Sequence, residues 1–174
     1  MGDDKYVRAP QKNMQPEGQH TSAVCWYTCY RMMYSWKNWD RSQILPKLKE
    51  AGIDVEAAKK TGLKLKDNKK AAQALDIRPV GYGQPVRVHN LKQLLGFSPI
   101  WATGQWMGSG CHVVVIMGAS EKYVEYFDPW WTGAPEDAFT IKKREMKWFL
   151  HGDGKKNHGL AYTAQKFPLG YFRS

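Results

Sequence analysis

Two segments of the chain carry residue types that can do covalent chemistry. Ser22-Ala23-Val24-Cys25-Trp26 sets a cysteine where a helical pattern begins. Gly110-Cys111-His112-Val113-Val114-Val115-Ile116 sets a histidine at the head of an apolar run. The thiolate, not the thiol, is the attacking species, and a helix N-terminus and a nearby imidazolium both favour it. Such a pair supports attack by Cys25, with His112 taking the proton and returning it to a leaving group. That chemistry also needs a group to orient the imidazole through its other nitrogen and a donor for the oxyanion. Asp128, opening Asp128-Pro129-Trp130-Trp131, can supply the first, and Gln19, just upstream of Cys25, the second.

These residues need elements that bring them together. Thr21 and Ser22 are N-cap residue types for a helix running to Lys37, whose Trp26, Cys29, Tyr30, Met33 and Trp36 recur at helical spacing and predict a central buried helix. Pro46 suits the first turn of a second helix ending near Gly52. Asp54 caps a third, running to Thr61 with Gly62 behind it, and Asp67 a fourth, running to about Leu75. Short strands are expected over Ile77–Tyr82 and Val86–Val88, then a brief helix, Leu91–Leu95, capped by Asn90 and ended by Gly96. Pro99–Thr103, His112–Met117 and Tyr123–Phe127 read as strands, and the short Gly118–Lys122 loop makes the last two antiparallel neighbours. That pairing puts Asp128 just beyond a strand that lies beside His112. Phe139–Ile141 is expected to add a strand, Lys143–Leu150 a helix and Leu160–Thr163 an edge strand. Helices first and an antiparallel sheet second make an α+β fold. Residues 1–174 read as one domain, with an extended arm over 1–20, a helical part over 21–76 and a mainly antiparallel sheet part over 77–174.

Composition limits the alternatives. The 174 residues are 43% hydrophobic and 13% aromatic, which excludes a disordered chain. No apolar run reaches membrane-spanning length, and the start, Met1-Gly2-Asp3-Asp4-Lys5-Tyr6, lacks the apolar core of a cleaved signal peptide. Three cysteines make no disulfide framework, and Cys25, Cys29, Cys111 and His112 lack the spacings of a zinc site. The reading therefore calls for no metal and no cofactor. Cys29, one turn inside the helix, reads as core, and Cys111 should point away from the face His112 uses. The net charge of +10 is concentrated over Lys47–Lys70 and Lys142–Lys156. Interspersed acids make these mainly solvated helix faces, with some attraction for an acidic protein surface; no nucleic-acid-binding motif is present. Trp101, Trp130 and Trp131 are candidates to wall a substrate groove.

The ordered set Gln19…Cys25-Trp26, Pro99-Ile100-Trp101-Ala102, Gly110–Gly118 and Asp128-Pro129-Trp130 resembles the papain-like cysteine proteases. It is most similar to the compact bacterial ones used as secreted effectors, and more distantly to the bacteriocin-processing double-glycine peptidases. The resemblance runs from about Gln19 to Leu150. It implies a papain-like fold with Cys25 as nucleophile, His112 as general base and acid, Asp128 as the orienting residue and Gln19 in the oxyanion hole; Gln15 and Gln11 are neighbouring alternatives for the last role. It further implies a protein substrate in a target cell, a cognate immunity protein, and export by a specialised system to act as a toxin in the target cytoplasm. Tyr27-Thr28-Cys29 departs from the small residues the family commonly has after Cys-Trp. An amidase or glutamine deamidase could use the same three residues. A basic binding module with an idle triad is the non-enzymatic reading.

Overall fold

The computed structural model describes residues 5–10, 14–80, 87–104, 111–130, 140–151 and 169–172. The central helix, α1 (Cys25–Lys37), is buried nearly all round, leaving mainly Tyr27, Arg31 and Lys37 toward solvent. Such a helix must lie inside the fold rather than on it. Its start differs from expectation. Val24 is the capping position and no side chain caps the helix, so neither Thr21 nor Ser22 serves. Asn38, in the left-handed conformation that asparagine tolerates, ends it.

Three short helices follow: α2 (Ile44–Glu50), α3 (Val55–Thr61) and α4 (Asn68–Ala74). The Asp54 carboxylate accepts a hydrogen bond from the Ala57 N–H, the cap read from the sequence. Asp67 precedes α4 without a side-chain cap, because Leu65–Asp67 already forms a tighter turn leading into it. Part of the lysine charge in this region is paired, with Lys47 on Asp76 at 2.8 Å and Lys59 on Glu56 at 3.3 Å.

The sheet comprises β1 (Val7–Arg8), β2 (Arg78–Val80), β3 (Ile100–Gly104), β4 (His112–Ala119), β5 (Tyr123–Phe127), β6 (Lys142–Glu145) and β7 (Leu169–Tyr171). Its order is β2-β7-β3-β4-β5-β6, with β1 paired to β4 and every pairing antiparallel. Helix α5 (Val88–Leu95) precedes β3, and α6 (Met146–His151) follows β6. Helix α1 packs on β3 and β4, and apolar residues from helices and strands form one core cluster.

Several boundaries correct the sequence reading. The arm is not simply extended: Val7 and Arg8 join the sheet, held by a two-pronged Arg8–Glu125 pair at 2.8 and 3.0 Å. Gly118 makes room for it, since a Cβ there would lie 3.0 Å from Glu125. Val88 starts a helix instead of ending a strand, and Asn90 lies inside that helix. Lys143–Glu145, expected in a helix, belongs with Lys142 to a strand that pairs with β5, and the helix begins at Met146. Local pattern missed this because an edge strand needs no apolar alternation. Strand β7 was unforeseen. It sits between β2 and β3, where Gly170 allows an approach to Ile77 that any Cβ would block at 2.6 Å. The Phe172 N–H, donating to the buried Ser98 hydroxyl at 2.9 Å, secures it. Phe139 and Leu160–Thr163 lie outside the described residues.

Trp101 is a core residue, not a groove wall. It is 2% exposed, stacks on Tyr30 with ring centroids 4.9 Å apart, and donates to the Trp26 carbonyl at 3.4 Å. Strand β3 lies between β7 and β4 and presses this face onto α1, which is why Trp101 cannot reach substrate. Trp101→Ala should therefore lower unfolding free energy by about 3–5 kcal/mol, the cost of emptying an aromatic core site. Urea denaturation measures it. A loss of substrate affinity at unchanged stability would return Trp101 to the cleft.

Candidate active site

Cys25 is the first residue of α1 and is buried. Being uncapped by a side chain, the helix start presents its own N–H groups and a positive partial charge there. His112 opens β4, which packs against α1, so the imidazole comes to the same end of the helix as the thiol. Residue types that the sequence holds far apart become neighbours through the α1–β4 contact.

The imidazole is held from both sides. Its Nε2 donates to Asp128 Oδ1 at 2.7 Å. Its other nitrogen, Nδ1, is thereby left for Cys25, which lies near enough to interact with the ring. Burial disfavours the charged ring, but the bonds to Asp128 and Cys25 outweigh it and raise the His112 pKa to about 9. Burial likewise opposes ionisation of Asp128, and the His112 bond outweighs that too, holding its carboxyl below the ordinary value. The result is an imidazolium–carboxylate pair at neutral pH, beside Cys25.

Asp128 stands just beyond β5, on the neighbour of β4, as the hairpin predicted. Its Oδ1 also accepts from the Trp130 N–H at 2.9 Å, which closes the Asp128-Pro129-Trp130 turn and sets the carboxylate. Trp130 is exposed, and its ring meets the His112 ring edge-on, with centroids 6.3 Å apart. It therefore sits over the histidine. Trp131, Trp106, His158 and Gln11 lie outside the described residues.

Gln19 is drawn to this end of the molecule by its own N–H, which donates to the Pro129 carbonyl at 2.7 Å. Its side chain is buried and Nε2 donates to the Thr21 carbonyl at 2.8 Å. An amide nitrogen carries two hydrogens, so one remains for a further acceptor. Gln15 is exposed, with its N–H on the Ser35 hydroxyl, and His20 is exposed.

The other cysteines separate as their surroundings dictate. Cys29 is fully buried, bonded to the Val113 carbonyl at 3.4 Å, and burial pushes its thiol well up, so it stays protonated. Cys111 precedes β4 and is exposed; partial burial and then the nearby Cys25 raise its thiol pKa. It does not point away from the site as expected. A cavity of about 200 Å³ is walled by Cys25, Trp26, Leu63, Thr103, Cys111 and Val113, among others. Position 111 lies just outside the strand, so strand alternation does not govern it. Thr61, Gly62 and Asn68 complete the wall. Gly62, at φ +88°, lets the chain turn after α3. These are the lining residues that sequence reasoning missed, because only α3, α4 and β3 folding together assemble them. A wider depression of about 630 Å³ at β6 is lined by Tyr123, Lys143, Arg144, Glu145 and Trp148, with no Cys, Ser, Thr or His among them.

Among the described residues, no cluster of His, Cys, Asp or Glu could hold a metal ion, and no helix is long and apolar enough to cross a membrane. The family model described as papain-like cysteine protease AvrRpt2 matches residues 9–149. No curated protein matches the chain. Among solved structures, a double glycine motif protease from an AMS/PCAT transporter, in complex with the leader peptide, is similar over 96% of this chain and 98% of its own. The TM-score is 0.53 at 16% sequence identity, a likeness of fold.

Proposed function

The chain belongs to the papain-like cysteine protease AvrRpt2 family, and on that premise we propose that it cuts peptide bonds through Cys25, His112 and Asp128, in a protein of a target cell. One observation carries the assignment: Asp128 takes Nε2 of His112 at 2.7 Å and so turns Nδ1 to Cys25. His112 holds the proton as an imidazolium, and the Cys25 thiolate beside it attacks the scissile carbonyl carbon. The oxyanion that forms is met by the Cys25 N–H and by the second N–H of Gln19. Collapse breaks the C–N bond, and His112 gives its proton to the departing amine. A water molecule, deprotonated by His112, then hydrolyses the thioester and frees the thiol. Asp128 stays ionised throughout and holds the ring.

The substrate reading rests on the cavity beside Cys25. Its wall holds Trp26, Leu63 and Val113 together with Thr61, Thr103 and Asn68 and, among the described residues, no charged one. A substrate side chain seated there is uncharged, with small residues at the cut itself beneath Trp130. A double-glycine cleavage site, such as the structural neighbour's name indicates, has that character. Cys111→Phe should narrow the cavity and lower kcat/KM by about tenfold for substrates that fill it, since ~1–3 kcal/mol is what one misfitting group in such a pocket costs. Alkylation of Cys25 by iodoacetamide, which needs no cavity, should keep its rate. Equal losses in both assays would mean that the substitution disturbs the nucleophile instead.

Resemblance to the compact effector proteases supports export to a target cell, with a cognate immunity protein in the producer. The basic helical part adds attraction for an acidic surface, which salt screens. The decisive experiment compares new protein N-termini in cells expressing the active chain or Cys25→Ala. Termini present only with the active chain, after small residues, identify the substrate. Identical termini in both would refute proteolysis through Cys25.

A further inference from the structure

Lysines 142 to 156 read in the sequence as a solvated basic stretch, yet the first of them is turned inward. Strand register is the cause. Lys142 is the Cα partner of Tyr126, and Asp128 lies two residues beyond Tyr126, just past the end of β5. The ammonium therefore reaches the catalytic carboxylate from β6, with Nζ 3.7 Å from Asp128 Oδ2. The two oxygens of Asp128 divide their partners. Oδ1 accepts from His112 Nε2 and the Trp130 N–H, while Oδ2 faces Lys142. The carboxylate is 7% exposed and the lysine side chain 34%, so the pair is shielded on one side.

We propose that Lys142 is a positioning residue, which keeps Asp128 ionised and turned so that Oδ1 directs His112 at Cys25. The proposal rests on the triad assigned above. The other groups facing Asp128 cannot supply this charge. Cys29 on α1 and Tyr126 on β5 both have their pKa values raised by burial and are neutral at neutral pH. Arg144, two residues along β6, lies over the Trp148 ring at 5.3 Å and interacts with Tyr126. His112 is the group being positioned. Against burial, which raises the Asp128 carboxyl, Lys142 also contributes to holding it low, after the larger effects of His112 and the Trp130 N–H.

Removing the lysine charge leaves Oδ2 facing an uncharged neighbour and lets Asp128 protonate at higher pH. A protonated Asp128 no longer supports the imidazolium, so the thiolate is lost with it. Both effects move the acid limb of Cys25 reactivity upward.

The test is the pH–rate profile of Cys25 alkylation by iodoacetamide, read by mass spectrometry in a Cys111→Ser background, where the exposed thiol of Cys111 is gone. Lys142→Met should displace the acid limb upward by roughly 0.5–1 pH unit, below the 1–3 units of a fully buried charge because Lys142 is partly solvated. Lys142→Arg should restore it to within about 0.3 unit, since the charge is kept. Lys142→Gln, uncharged but polar, should behave as Met does and replaces it if Met misfolds by thermal melting. A Met or Gln profile superimposed on the parent's, or an Arg variant as displaced as Met, overturns the proposal. His112→Ala in the same background separates the two readings. If it alkylates like the parent, the triad itself fails; if it is slow while Lys142→Met is normal, only the role of Lys142 falls.

Discussion

Cys25→Ala is expected to reduce peptide-bond cleavage by more than about a thousandfold, since losing the nucleophile of a triad removes nearly all of what the triad contributes. The fold should survive. The side chain is small and buried, alanine fits its space, and a substitution of this kind costs about 1 kcal/mol or less. Hydrogen bonding elsewhere in α1 does not depend on the thiol, because the helix begins on backbone bonds such as Thr28 N–H to the Val24 carbonyl at 3.0 Å. Cleavage by the purified variant, alongside its circular dichroism spectrum and melting curve, checks both halves. A folded variant with undiminished activity would remove Cys25 from the mechanism. Cys29→Ala acts differently, since that thiol fills the core and is held protonated; it should cost stability rather than turnover.

The second large effect belongs to the His112–Asp128 pair. His112→Ala removes the group that moves every proton and should cost at least 100-fold in kcat, within the ~100–10,000-fold range of general acid–base catalysis. Asp128→Asn should cost about 10–100-fold, the loss of one charge-assisted hydrogen bond worth ~1.5–3 kcal/mol, because an amide oxygen can still accept from Nε2. Activity should fall on the alkaline side as pH passes about 9 and the imidazolium deprotonates. Stability follows the same groups. His112 has its pKa raised from 6.5 to about 9, so its contribution is complete below pH 6.5 and is lost as pH rises through 9. Asp128 has its pKa lowered from 3.8, so its contribution is present above that value and is lost as pH falls. Urea unfolding of the wild type should thus show a decline between pH 6.5 and 9 that Asp128→Ala largely removes. An unchanged decline in that variant, with wild-type activity across pH 6 to 8, would assign the ring to another partner.

Much of this site was legible because its parts obey local rules. A cysteine opening an amphipathic run, a histidine opening an apolar strand and an acid just past a short hairpin each leave a pattern that neighbouring residues alone determine. Helix α3 announced itself in the same way, through Asp54 and Gly62. The elements that failed were those whose conformation is decided by a distant partner. Lys142–Glu145 has helix-forming composition and becomes a strand because β5 offers it hydrogen bonds. Strand β7 enters between β2 and β3, where the Ser98 hydroxyl receives it and its own Gly170 leaves room for Ile77.

The sequence by itself determined the kind of chemistry, the α+β class and the order of the helical and sheet parts, since residue type and periodicity suffice for these. Direction and enclosure were left to the tertiary structure. Trp101 and Trp130 are the same residue type in similar company, yet one is stacked on Tyr30 in the core and the other is exposed over His112. Lys142 and Lys143 are adjacent, yet one faces Asp128 and the other lies over Tyr6 and Tyr123. A strand alternates its side chains strictly, so the register of pairing chooses which of two neighbours meets the active site, and register is set across the sheet rather than along the chain.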